Sequence, residues 1–154
     1  METLERLLLA HPFLAGIAPD LGRVLVGCAS NLRFAPGEFL FREGDPADRF
    51  FLVREGAVAL ELHVPGRAPL VVTTLGDGEL VGASWLVPPY RWSYDARATM
   101  PTRAFALDAA CLRQKSEADH HLGYEMMKRI LPVMVRRMEA GRQQLIDVYG
   151  QAAA

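Results

Sequence analysis

The sequence predicts a mainly β fold, an antiparallel barrel or jelly roll, flanked by N-terminal helices and one long C-terminal helix. Two observations predict it. The apolar pattern has a helical period over residues 1–30, breaks into short runs over 31–107, and returns to a helical period over 109–149. Glycine-containing turns divide the middle stretch at Pro36-Gly37, Gly44-Asp45, Glu55-Gly56, Pro65-Gly66 and Gly76-Asp77-Gly78. Short apolar runs with regular turn signals are the pattern of an antiparallel sandwich or barrel. At 154 residues the chain has the size of one domain, and no repeat of solenoid length is present.

At the N-terminus, Leu4, Leu7, Leu8 and Phe13 give one apolar face, with Glu2, Glu5 and Arg6 on the polar side. Pro12 breaks that run. A second short helix is expected from Pro19, with Leu21, Val24, Leu25 and Cys28 along one side. Strands are expected around Phe34, Phe39 and Phe41, over Phe50-Phe51-Leu52-Val53, and over Leu70-Val71-Val72. In the stretch from 58 to 64, Val58, Leu60, Leu62 and Val64 alternate with Ala59, Glu61 and His63, which predicts a strand with one wet face. Asp108 can cap a short helix through Gln114, and Asp119 a long one from His120.

In the long helix Tyr124, Met127, Leu131, Met134, Met138, Gly141, Leu145 and Val148 recur at alternating spacings of three and four. That is a heptad seam, expected to meet a partner helix in a homodimer. The alternative is packing against the chain's own barrel. A helix of about thirty residues is about 45 Å long, however, and outlasts a small barrel. Pro132 lies inside the pattern and should kink the helix or mark a junction.

Composition narrows the function classes. The formal net charge of -1 gives no overall field for nucleic acid or anionic membranes. The longest apolar runs are too short to span a bilayer, and the N-terminus lacks the parts of a signal peptide. Cys28 and Cys111 are far apart, form no CxxC, and read as buried apolar thiols in a reducing cytoplasm. No nucleophile elbow, HExxH, P-loop or dinucleotide fingerprint occurs, so no enzyme chemistry is expected. His120-His121 diverge by about 100° on a helix and read as capping or solvated groups, not metal ligands. His11 and His63 have no apparent ligand partners. Arg129, Arg136, Arg137 and Arg142 read as a solvated helix flank.

The stretch Phe34-Ala35-Pro36-Gly37-Glu38-Phe39-Leu40-Phe41-Arg42-Glu43-Gly44-Asp45, continuing to Phe50-Phe51-Leu52-Val53-Arg54-Glu55-Gly56, resembles the first half of a cyclic-nucleotide-binding domain of the Crp/Fnr type. Gly37, Gly44 and Gly56 fall where that pattern needs turns of positive φ. The resemblance implies a phosphate-binding cassette over residues 78–99. It comprises Gly78-Glu79-Leu80-Val81-Gly82-Ala83-Ser84-Trp85-Leu86 and then Arg91-Trp92-Ser93-Tyr94-Asp95-Ala96-Arg97-Ala98-Thr99. It also implies a glutamate for the ribose hydroxyl and an arginine for the cyclic phosphate. This chain departs at both: the glutamate falls at Ala83 and the arginine at Trp92, while Ser93 matches the residue after that arginine. Arg91 is adjacent, but one step along a strand points to the opposite face.

The candidate pocket is therefore Gly82, Ala83, Ser84, Trp85, Arg91, Trp92, Ser93 and Tyr94. Three readings stay open. The aromatic residues plug the old site as core. Alternatively, the pocket takes a different small molecule, with Arg91 or Arg97 meeting an anion. In the third, a bulge turns Arg91 inward and restores cyclic-nucleotide binding. Arg97, between Ala96 and Ala98, reads as a solvated strand residue. Relatives of the Crp/Fnr type carry a helix-turn-helix after the long helix. Here only Gly150-Gln151-Ala152-Ala153-Ala154 follows Tyr149, so no specific DNA binding is expected. The expected partners are a second copy, a small-molecule ligand or another protein.

Overall fold

The computed structural model describes residues 3–152; Glu2, expected on the polar side of the first helix, and the last two alanines lie outside them. The first helix, α1 (Leu4–Leu9), is capped by Thr3, whose side chain accepts from the Arg6 amide. A 3₁₀ turn at Pro12–Leu14 follows, and then α2 (Pro19–Val26), with proline in its first turn as expected. Their apolar faces bury Leu8, Leu14, Leu21 and Leu25.

Eight strands follow: β1 (Ala29–Phe34), β2 (Phe39–Phe41), β3 (Arg49–Glu55), β4 (Val58–Leu62), β5 (Leu70–Leu75), β6 (Leu80–Val81), β7 (Asp95–Ala98) and β8 (Thr102–Asp108). They form two four-stranded antiparallel sheets, in the orders β1-β8-β3-β6 and β2-β7-β4-β5. This is the mainly β fold the sequence predicts. Between them lies one core built on Phe50, Phe51, Leu52, Val53, Phe105 and Leu107, all at or near zero exposure. The turn glycines Gly37, Gly44 and Gly56 take φ of 91°, 87° and 127°. At Gly56 a Cβ would also lie 2.4 Å from the Thr102 hydroxyl, so the β3–β4 turn excludes every other residue.

The expected wet face of β4 is not wet. Ala59 and Glu61 are buried along with Val58 and Leu60. A diagonal neighbour on the adjacent strand is the reason: Arg97 of β7, opposite Ala59, places its Nε 2.6 Å from the Glu61 carboxylate. Arg97 is therefore an ion-pair partner and not simply a solvated strand residue. The hydrogen bond from Arg97, joined by the Coulomb attraction, raises the pKa of its guanidinium.

A second correction concerns the cysteines. Cys28, at the entrance to β1, and Cys111, in the first turn of α3 (Ala109–Ala118), form a disulfide with Cα atoms 5.8 Å apart. They come together because β1 and β8 pair antiparallel from Ala29↔Leu107, which brings the ends of an 83-residue separation side by side. Neither is a free thiol, so they lend no support to a reducing compartment. No helix among the described residues is long and apolar enough to cross a membrane.

Asp108 caps α3 by accepting from the Cys111 amide, and Asp119 accepts from the His121 amide at the start of α4 (His120–Ala152). That helix runs 33 residues as one element through Pro132. It has two apolar faces. Leu122, Met126 and Ile130 are buried on the barrel side, with Val133 partly buried beside them. The heptad seam lies on the other side: Tyr124, Met127, Leu131, Met138, Leu145 and Val148 are all exposed. Met134 is the exception, since it packs partly against the core.

Candidate functional site

The cassette begins at β6, which pairs with β3 through Phe51↔Val81 and Leu52↔Leu80. The chain then leaves the sheet at Gly82, whose φ is 100°. Ala83 follows in an irregular conformation and contributes no side-chain cap to the single 3₁₀ turn Ser84–Leu86. The helical part of the cassette between β6 and β7 is this one turn.

Trp92 decides the shape of what remains. Its indole stacks on Phe41 of β2 with centroids 3.7 Å apart and planes within 7°. It is buried and lies flat against Gly82, where a Cβ would come within 2.6 Å of the ring. Glycine at 82 therefore answers two demands at once, the left-handed backbone and the close approach of the indole. Trp85 is equally deep, stacked on Phe50 at 4.7 Å. Its backbone carbonyl accepts from Arg113 of α3, and that guanidinium lies over the Tyr90 ring. Its own Nε1–H is buried without a partner.

Arg91 behaves as its period-two neighbour requires. Trp92 points in, and Arg91 points out, donating to the Gly44 carbonyl at 3.0 Å beside a single bridge to Pro46. Ser93 and Tyr94 are exposed. Of the eight candidate pocket residues, Gly82 and Trp92 touch directly, Ala83, Ser84 and Trp85 form the turn above them, and Arg91, Ser93 and Tyr94 lie outside.

The long helix is wired to this region by residues the sequence assigned to a solvated flank. Arg137 donates to the Leu80 carbonyl, at the start of the cassette strand. Arg129 forks between Glu125, at 2.5 Å, and the Ala15 carbonyl, at 2.9 Å. Hydrogen bonding to Arg129, its largest influence, holds the Glu125 carboxyl below its usual range. Further along, Gln144 donates to Val72 of β5. Only Arg136 and Arg142 of the four arginines are exposed as expected.

One more buried group was read from the sequence only as lacking ligand partners. His11 is almost fully enclosed; its Nδ1 accepts from the Phe13 amide, so its Nε2–H donates to the Val53 carbonyl at 2.7 Å. Burial lowers its pKa, opposed by the bond to Val53. Position alone could not have flagged it, since nothing in the sequence distinguishes a histidine inside the barrel mouth from one on its rim.

The model of the cyclic nucleotide-binding domain family matches residues 31–119, and the chain belongs to that family. The CRP-like cAMP-activated global transcriptional regulator of Mycobacterium tuberculosis is 25% identical over 133 residues, covering 86% of this chain. That is 58% of the relative, so the chain spans well under two thirds of its length. Among solved structures, a Geobacter metallireducens GS-15 protein described as cyclic-nucleotide-binding superposes with a TM-score of 0.76 at 28% identity. It is covered over 99% of its length, and this chain over 90%. A cyclic nucleotide-binding domain from Methylobacillus flagellatus KT gives a TM-score of 0.80 at 20% identity, covering 93% of this chain and 83% of its own, a likeness of fold.

Proposed function

We propose that the chain is a non-enzymatic regulatory module whose cyclic-nucleotide cassette has been refilled with its own aromatic side chains, and that it acts through α4 on a partner. One observation carries this reading: the Trp92 indole stands where the resemblance implies a phosphate-pairing arginine, stacked on Phe41 and closed over Gly82. Ala83 offers nothing to a ribose hydroxyl. Losing a charge-assisted pair costs about 1.5–3 kcal/mol, and about 1.4 kcal/mol is tenfold in affinity. Binding weaker by two or more orders of magnitude than in a competent relative follows.

The test is a titration with cyclic AMP followed by tryptophan fluorescence, since Trp85 and Trp92 both report on the site. No saturable change is expected at micromolar ligand. A saturable micromolar signal that disappears in Arg91→Ala would sink this reading in favour of a regulator that binds cyclic nucleotide, as the printed name of the mycobacterial relative says of that protein. In the reverse direction, Ala83→Glu with Trp92→Arg should create or strengthen cyclic-AMP binding if the backbone is otherwise competent.

A second reading, a ligand-free dimerisation scaffold, is favoured by the outward stripe of α4, where Leu131, Met138 and Leu145 are all more than half exposed. A solvent-facing heptad seam of this length suits a second copy of the same helix. The two readings differ in whether α4 passes a signal to a partner or only joins two copies of the chain.

A further inference from the structure

A cleft of about 360 Å³ lies between the N-terminal 3₁₀ turn, the start of the cassette and the middle of α4, away from Trp92. One wall is apolar, formed by Pro12 and Phe13, and the helix adds Pro132 and Val133. The other carries Lys128, Arg129, Arg136 and Arg137. These fall on two adjacent helical rows, 128/132/136 and 129/133/137, so the helix presents all four to one side.

The charges do not balance. Glu79 is the one carboxylate lining the cleft, and its Oε2 already accepts from the Gly76 amide at 2.6 Å. Arg129 is neutralised by Glu125, yet its Nε is buried with no partner. Among the described residues, Arg137 makes no salt bridge; its recorded bond is to a neutral carbonyl, Leu80 O. Desolvation lowers the pKa of its guanidinium; the attraction of Glu79 opposes this, and the neighbouring Arg136 adds to the lowering. A partly desolvated cation beside like charges is costly unless an anion completes the site.

We propose that this cleft, which adjoins the start of the cassette but lies away from Trp92, is a second site for a phosphate-bearing small molecule, with Lys128 and Arg136 as its exposed cationic contacts. The volume falls within the range of small-ligand pockets. The Pro12–Phe13 wall suits the apolar or planar body of an organic phosphate. An occupant would bridge α4 to the strand leading into the cassette, and so would bear on the position of the helix.

The test is isothermal titration of the whole chain with ADP and, separately, with inorganic pyrophosphate at physiological ionic strength. Saturable binding at submillimolar concentration is expected. Lys128→Gln and Arg136→Gln, both exposed and neither holding the fold, should each weaken it about five- to tenfold. ADP binding tighter than pyrophosphate assigns an organic phosphate; equal affinities assign a bare phosphate group, and either supports the site. Absence of saturation by both probes at several millimolar overturns it. So does an affinity that survives the double variant Lys128→Gln/Arg136→Gln.

Discussion

His11 and Trp92 fill space that a larger family would describe only as interior, and each has a distinct physical consequence. His11 is neutral because its one free lone pair accepts from Phe13 and its one N–H donates to Val53. Its folded pKa lies below the ordinary 6.5. The unfolded chain therefore takes up a proton that the folded chain refuses, and stability is lost as pH falls below about 6.5. The slope is at most one proton, about 1.4 kcal/mol per pH unit. Urea unfolding between pH 7.5 and 5.5 should show a midpoint that falls with acid, and His11→Gln should flatten the dependence. An unchanged slope in that variant would mean other groups carry it. Trp92 was legible in register, because period two sends Arg91 and Trp92 to opposite sides. The partners it would find were not: Phe41 comes from β2 and Gly82 follows β6, and only the packing of the two sheets brings them together. The same limit hid the Arg97–Glu61 pair, whose members are 36 residues apart in sequence.

At the scale of elements, α4 shows why a seam in sequence is ambiguous. Two apolar stripes share it, one of Leu122, Met126 and Ile130 against the barrel and one of Tyr124, Leu131 and Met138 facing out. Their spacings interleave, so periodicity alone finds the longer one and does not say which is inward. Met134 sits between them, half committed to the core. A dimer test should therefore avoid it. Leu131→Glu with Met138→Glu places like charges on the exposed stripe and leaves the barrel contacts intact. Sedimentation should show a dimer for the wild type and a monomer for the pair, with the unfolding midpoint of the monomeric barrel little changed. A wild type that sediments as a monomer, or a variant that still sediments as a dimer, would remove α4 as the interface. The β-elements were more legible, since a glycine of positive φ marks a turn whatever surrounds it.

Across the whole molecule, the Cys28–Cys111 bond was the feature least visible beforehand, because the two residues meet only after β1 and β8 have paired. Closing a loop of that separation removes denatured-state entropy worth about 4–5 kcal/mol in the chain-entropy account. Reduction, or Cys28→Ser with Cys111→Ser, should lower the stability measured in urea by an amount approaching that figure. A variant as stable as the oxidised wild type would show that the bond adds nothing to the pairing already made by the sheets. The bond also divides the polypeptide topologically. Residues 28–111 form a covalent ring that contains every strand, and α4 hangs from it as an open tail. A protease that cuts once in the exposed β4–β5 turn, around Gly66 and Arg67, therefore cannot separate the halves of the barrel. The nicked protein should run as one species until thiol is added and then as two, whereas a cut in α4 releases its fragment at once.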